Sequence, residues 1–411
     1  MRFLICTSNA SIGMSNNILY IWDSDYPWDV RAEKICQSLV RHGFESHIAA
    51  RNLKKRPCYE KIDGIHVHRI RNWDSSKLNY ALSFPAFFSP VWKSFINTIV
   101  RKHNIRLIIV RDLPLVPLGI SCGRKFRIPC IFDMAEDYVA MIRDIWNARK
   151  FQGLNLVVRN PYLAKLVERY SLKNADHILV VVDEAVDVVV RGGGSADKVT
   201  VVSNTPELDK INQAVSANLN FPELEKIWKQ FSAIYVGGIQ MGRGIQTVLD
   251  AIPQIIREIP DFLFVVVGDG YATPYFKQLV KKRNLDEYVE WIGWVGHDRI
   301  YNYIKACKVG IIPHLVTDHV NTTIPNKIFD YMALGLPVVA TDAAPMKRVL
   351  EKEKCGVVFE SNNPMRLYQA IVELKNKATD LGKNGICAIR SKYNWSLDEK
   401  RLIRLLNKLI K

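Results

Sequence analysis

"NTTIPNKIFDYMALGLPVVATD", residues 321–342, joins two patterns in one short run. Pro325 and Asn326 suit the start of a helix, and Thr322 or Thr323 is placed to cap it. An amphipathic stretch follows, and Gly335 is a natural stop. After Pro337 comes the apolar run "VVATD", which reads as a buried strand. Helix into turn into buried strand is half of a layered α/β unit. Lys327 and Asp330 lie three residues apart on one face of that helix. A cation in a first helical turn opposes the dipole unless an anion is bound there. The competing reading is an ordinary surface pair.

Working outward, the same alternation recurs. Toward the N-terminus, short apolar runs appear at 17–22, 46–50, 65–70, 107–110, 130–134, 177–182 and 199–203, with helical periods between many of them. A second series runs through 232–238, 262–270, 288–293, 309–313, 337–342 and 356–360. Two doubly wound, Rossmann-like α/β domains facing a cleft are therefore expected. Their expected limits are 1–205 and 232–393, with a polar linker at 206–231. Residues 394–411 read as one amphipathic helix that crosses back to the first domain.

The chain has 411 residues, 48% hydrophobic and 24% charged, an ordinary globular composition. It carries 57 Lys+Arg against 41 Asp+Glu, for a formal charge of +16. Residues 1–205 hold 29 basic and 19 acidic residues, and the remainder 28 and 22, so the first half carries more of the excess. Such a surface attracts polyanions, without choosing among nucleic acid, anionic lipid and phosphorylated small molecules. The eight Cys include no Cys-x-x-Cys pair and read as buried hydrophobes in a reducing compartment. "MRFLICTSNASIG" lacks the pattern of a secretory signal, and no run of about 18 apolar residues occurs.

Ligands of open α/β sheets sit beyond the carboxyl ends of the strands, so loops after strands hold the candidate sites. In "YVGGIQMGRG" (235–244), Gly237 and Gly238 let backbone amides approach a phosphate, and Arg243 offers a clamp for a diphosphate. Gly268 and Gly270 form a second tight turn. "RGGGSAD" (191–197) follows a helical run and reads as a connection. Asp23 and Asp25 could hold Mg²⁺ or Mn²⁺, but a merely structural loop is the stronger reading. Asp29, Arg31, Asp112 and Glu136 fall in strand-end loops of the first domain. Phe87, Phe88, Trp92, Phe95 and Ile96, with Lys93, Arg101 and Lys102, suit an anionic membrane surface or a helix packed on its own sheet.

"VGGIQMGRG", "FVVVGDG", "VEWIGWVGHDRIYNYIKACKVGIIP" and "PNKIFDYMALGLPVVATD" occur here in one order. So do "IPCIFDMAEDY", "KNADHILVVV" and "VTVVSNTPELD" in the first half. Together they resemble retaining GT-B glycosyltransferases of family 4, of the subgroup that assembles bacterial surface polysaccharide. The resemblance implies a sugar nucleotide, UDP-linked, as donor and a lipid-linked or glycan acceptor, with no metal and no nucleic acid. It implies a place on the inner face of the cytoplasmic membrane. It assigns the ribose to Asp330 and the diphosphate to Arg243, while Lys327 could replace the positive charge missing at Gly238. It gives the sugar and phosphates to Thr322, Thr323, Ile324, Pro325, Asn326 and Lys327, and the base edge to Val295. Asp29, Arg31, Asp112 and Glu136 are the acceptor candidates, and Arg243, Lys327 and Glu136 the catalytic ones. The chain departs from the family at Gly238, where an Arg is usual, at Thr322, where an acid is usual, and at Ala135, where a His is usual. Two other readings stay open: a sugar-nucleotide epimerase of the same fold, and a catalytically inactive binding subunit.

Overall fold

The computed structural model describes residues 16–27, 29–71, 75, 86–148, 156, 159–216 and 221–410. Two sheets dominate. The first contains β1 (Asn17–Asp25), β2 (Glu45–Arg51), β3 (Tyr59–Ile62), β4 (Ile65–Arg69), β5 (Ile105–Arg111), β6 (Cys130–Met134), β7 (His177–Val180) and β8 (Val199–Val201). Their order is β3-β4-β2-β1-β5-β6-β7-β8. The second contains β9 (Phe231–Val236), β10 (Phe262–Val267), β11 (Val289–Gly293), β12 (Val309–Ile312), β13 (Val338–Thr341) and β14 (Gly356–Phe359), in the order β11-β10-β9-β12-β13-β14. Every recorded pairing is parallel except β3 with β4, which is antiparallel.

Central strands such as β10, Phe262–Val267, are buried along their whole length, as parallel strands covered on both faces must be. Helix Ile245–Glu258 packs Ile245, Val248, Leu249, Ile252 and Ile255 into the same core, together with Phe262, Phe264 and Phe276. This is the two-domain Rossmann-like architecture the sequence predicts.

By internal contacts the chain divides into two compact units. One takes Met1–Asp133, Asn174–His177 and Ile403–Lys411; the other takes Met134–Lys173 and Ile178–Leu402. The last residues thus group with the first unit, as a returning helix would.

The 206–231 segment holds helices Leu208–Ser216 and Pro222–Lys229, which bury Ile211 and Ile227. Three expectations need correction. β1 runs on through Asp25, so Asp23 and Asp25 sit in the strand. Asp23 is held by Arg51 at 2.6 Å, and Asp25 accepts the amides of Leu53 and Lys54 at 2.7 and 3.0 Å, which commits both carboxylates. The aromatic segment before His103 packs inward: Phe87, Trp92 and Ile96 are buried in or beside helix Pro90–Lys102, while Phe88 is exposed. Residues 82–85 of that segment lie outside the described residues. Neither threonine caps helix Asn326–Ala333, whose N-cap position is Pro325. The Thr322 hydroxyl instead lies 3.0 Å from the His319 carbonyl and 3.2 Å from that of Asp318, inside the preceding short turn.

Candidate functional site

In the second sheet the chain lays β10 and β11 on one side of β9, then returns to place β12 on the other. That reversal opens a crevice at the carboxyl ends of β9 and β12, where α/β sheets bind ligands. Gly237 and Gly238 follow β9, and Pro313 and His314 follow β12.

Close approach of backbone explains the glycines. Gly237 and Gly268 have φ of +130° and +133°, outside the range of ordinary residues. A Cβ on Gly268 would lie 2.1 Å from the Gly237 carbonyl oxygen, and one on Gly270 2.2 Å from that of Ile239. Gly237 donates to Val267, Ile239 to Asp269 and Gly268 to Gly293, so the loops after β9, β10 and β11 are laced together. The amides of Gly237 and Gly268 are spent on this lacing and serve as frame. Gly238 differs: a Cβ there would meet nothing nearer than the Gln240 side chain at 3.9 Å. A Cβ at Gly238 is therefore not excluded by its neighbours.

Three side chains converge on this frame. Lys327 Nζ lies 3.9 Å over the Tyr235 ring and 3.4 Å from His314 Nε2. Arg243 Nη1 lies 3.5 Å from His314 Nδ1. Lys327 is half-buried as a residue, yet its ammonium is enclosed. Burial, then the nearby Arg243, holds its pKa well below the usual lysine value, against the pull of Asp330. Burial and the same two cations keep His314 neutral. A neutral imidazole has one lone pair. Two cationic donors therefore face a ring that can accept from only one of them. The arrangement has a surplus of donors, and an anion such as a diphosphate is its natural complement.

The frame fixes the cations by position. Gly244, φ +70°, lets the turn after Arg243 pass the Pro313 carbonyl, which a Cβ would approach to 1.7 Å. Leu315 N donates to Gly242 at 3.1 Å. The Tyr331 hydroxyl accepts from Val236 N at 3.0 Å and lies 3.2 Å from the Ile234 carbonyl, locking helix Asn326–Ala333 against β9. Asp330 is half-buried on that helix. Thr323 and Pro325 are half-buried, Ile324 is buried and Asn326 is exposed. Val295 lies in the loop after β11.

A second cavity, of about 540 Å³, adjoins Thr322 within the larger unit. Its walls include Asp137, Arg143, Glu168, Arg191, Asp318 and Thr322. Asp137 caps helix Tyr138–Ala148 by accepting the Ala140 amide at 2.9 Å. Burial, followed by the charge of Asp137, pushes the Glu168 carboxyl up to about 8, so it carries a proton at neutral pH. Arg143 reaches Asp318 at 3.1 Å. A polar cavity with protonated and charged carboxyls suits a hydroxyl-rich molecule. Glu136, the candidate from sequence, is exposed, while its neighbour Asp137 lines this cavity.

The remaining acceptor candidates lie in the smaller unit. Asp29 caps helix Val30–Arg41 through Ala32 N at 2.8 Å and pairs with Arg111. Arg31 is buried against Asp133, 2.6 Å away, and Asp133 also accepts from the Tyr20 hydroxyl at 2.8 Å. Asp112 follows β5 with φ +55°. Arg31 thus ties helix Val30–Arg41 to β6, and Asp29 and Asp112 stand where β1 and β5 form the first sheet's own reversal.

Sequence reasoning missed His314, Tyr235 and the cavity residues Asp137, Arg143, Glu168 and Arg191. His314 stands one residue past the "VGIIP" run, but only strand order shows that this run borders β9.

Two doubly wound sheets with a cationic cluster at the second sheet's reversal define the GT-B class. Residues 29–205 match the profile of a glycosyl transferase 4-like domain, and residues 230–377 that of the group 1 glycosyl transferases. The chain belongs to the GT-B glycosyltransferases of family 4. It is 24% identical over 216 residues to alpha-D-kanosaminyltransferase of Streptomyces kanamyceticus, covering 52% of this chain and 54% of that one. It is 20% identical over 221 residues to the amylovoran biosynthesis glycosyltransferase AmsK of Erwinia amylovora, covering 53% and 52%. The chain spans about half the length of the curated relatives it matches. Anabaena Alr3699/HepE in complex with UDP-glucose superposes with a TM-score of 0.70 at 15% identity, over 96% of this chain and 100% of that one.

Proposed function

We propose that this chain is an active retaining glycosyltransferase. It moves a sugar from a UDP-linked donor to a lipid-linked or polysaccharide acceptor in cell-surface glycan synthesis. The observation that carries the reading is the convergence of Arg243 and Lys327 on His314 at the reversal of the second sheet. The HepE complex with UDP-glucose supports the donor class, and the amylovoran biosynthesis relative supports a role in polysaccharide synthesis.

A sugar nucleotide brings its own leaving group, so catalysis consists mainly in stabilising charge that develops on the diphosphate. Arg243, Lys327 and the start of helix Asn326–Ala333 supply positive potential there without a metal ion. Asp330 receives the ribose hydroxyls, the Val295 backbone the base, and Thr322–Ile324 the sugar. As the bond from the anomeric carbon to phosphate oxygen breaks, the acceptor oxygen bonds to that carbon from the same face. The acceptor's proton passes to the departing phosphate. The cavity beside Thr322 is the acceptor's place in this scheme, with Asp137 and protonated Glu168 facing its hydroxyls. Asp29, Asp112 and Glu136 are held as further acceptor contacts.

No helix among the described residues is long and apolar enough to cross a membrane. We place the protein peripherally on the inner face of the bacterial cytoplasmic membrane, where lipid-linked acceptors are found. The charge of +16 supplies the attraction.

The test is product analysis with UDP-sugars and a lipid-linked acceptor. The expected product is an α-linked glycoside from an α-linked donor. Epimerised UDP-sugar formed without acceptor favours the epimerase. Absence of nucleotide binding in calorimetry favours the inactive subunit, which the residues at Gly238, Thr322 and Ala135 motivate.

A further inference from the structure

Four of the nine histidines gather on one face of the first sheet, in the smaller unit and outside the donor site. Strand register brings them together. His47 on β2 stands across from His66 on β4, and Ala49 across from His68. Alternation along parallel strands puts His47, His66 and His68 on the same side. His103, at the C-cap of helix Pro90–Lys102, closes over them. The His47 ring lies 4.7 Å from those of His66 and His103, and the His68 and His103 centroids are 4.9 Å apart.

Hydrogen bonding alone leaves this cluster unsatisfied. His47 Nδ1 and His68 Nε2 face each other at 3.1 Å. If His47 carries its proton on Nδ1, that proton reaches His68 and leaves the His47 Nε2 lone pair buried. If the proton is on Nε2, it is the buried N–H that lacks an acceptor. Either way His47 Nε2, in a fully buried side chain, has no hydrogen-bond partner. A buried polar atom left without a partner is destabilising.

A metal ion would engage the two ring nitrogens that face each other. Ligand nitrogens of His47, His68 and His103 all lie within 4.8 Å of one another. In a tetrahedral zinc site with bonds of about 2.0–2.1 Å, ligand nitrogens stand about 3.3 Å apart, close to the spacing of the His47–His68 pair. A metal between His47 Nδ1 and His68 Nε2 uses both lone pairs and fixes the remaining His47 proton on Nε2. That N–H faces Glu45 Oε1, 3.9 Å away, the carboxylate that such ligands ordinarily have behind them. His66 is occupied on both nitrogens, by Tyr59 at 2.8 Å and Glu45 at 3.2 Å, and so steadies the cluster without joining it.

We propose that His47, His68 and His103 form a binding site for one divalent transition-metal ion of the zinc class, with Glu45 orienting His47. Half-buried His103 leaves a fourth position toward solvent for a water. Lys61 and Lys102 also face the cluster and oppose a cation, while Glu45 offsets them. The ion clamps β2, β4 and the end of helix Pro90–Lys102 together. It takes no part in sugar transfer, so the proposal stands apart from the functional reading above.

The full chain, stripped with a chelator, is titrated with Zn²⁺ in a calorimeter and with Co²⁺ in a spectrophotometer. One ion per chain is expected, with the intense visible absorption of tetrahedral Co²⁺ and a Zn²⁺-dependent rise in Tm. His68→Gln and His103→Gln should abolish the stoichiometric binding. Glu45→Ala should weaken it roughly 10–100-fold. Lys327→Ala should leave it intact. A weak, water-like Co²⁺ spectrum with the wild-type chain overturns the proposal, whatever the variants do. So does stoichiometric Zn²⁺ binding that survives the histidine substitutions.

Discussion

Lys327 sits in a first helical turn with its ammonium enclosed, beside Arg243 and a neutral His314. Burial and Arg243 disfavour a cation there, against the Tyr235 ring and Asp330, and a bound diphosphate would favour it. The consequence is a pH signature. Because the folded pKa of Lys327 is depressed from 10.5, the free protein loses that proton at lower pH than an exposed lysine does. A bound diphosphate raises the pKa again, so binding takes up a proton above the free-state value. UDP affinity should therefore fall with rising pH well before about 10, and Lys327→Arg should flatten the fall. Calorimetry in buffers of different ionisation enthalpy reads both the affinity and the proton uptake. Glu168 gives a second signature of opposite origin. Its folded pKa of about 8 lies above the ordinary glutamate value of 4.5, so between those limits the folded state holds the extra proton. Stability from this group is present below the lower value and is lost as pH rises toward 8. Glu168→Gln should raise stability at pH 8 by about 1–3 kcal/mol and change it little at pH 4, as thermal denaturation at the two pH values will show.

At the scale of elements, the site depends on turns that only glycine can make. Gly244 combines φ +70° with a 1.7 Å encounter between any Cβ and the Pro313 carbonyl. Gly244→Ala should cost about 2–4 kcal/mol and move Arg243 away from His314, lowering both Tm and UDP affinity. Gly238→Ala has open space and should leave Tm unchanged. These turns were legible in the sequence because glycine after an apolar run carries a specific backbone meaning. The parallel strands were legible for the same reason, since burial on both faces writes them as continuous apolar runs. β3 was not: Tyr59–Ile62 alternates exposed and half-buried residues at a sheet edge and has no such run. The helices at 208–216 and 222–229 were missed because each buries only one apolar side chain, Ile211 or Ile227. The metal cluster was invisible as well, since its three ligands come from separate segments and meet only through strand register.

At the scale of the molecule, the sequence shows how many sheets there are but not their internal order. The order places β12 beside β9 and so brings His314 between Arg243 and Lys327. A reader of the chain alone sees Arg243 and Lys327 as separate motifs and cannot see the imidazole they share. Charge, by contrast, is fully legible. With +16 on 411 residues, the protein should co-sediment with vesicles containing anionic lipid at low salt and be released as salt rises. Binding that ignores lipid charge and salt would rule out an electrostatic membrane attachment.

The central claim is that Arg243 and Lys327 hold the donor diphosphate. Calorimetric titration of UDP into the wild type, Arg243→Ala and Lys327→Ala tests it directly. Each substitution removes a charge-assisted contact worth about 1.5–3 kcal/mol, so each should weaken binding roughly 10–100-fold with Tm preserved. UDP affinity equal to wild type in both variants would contradict the account.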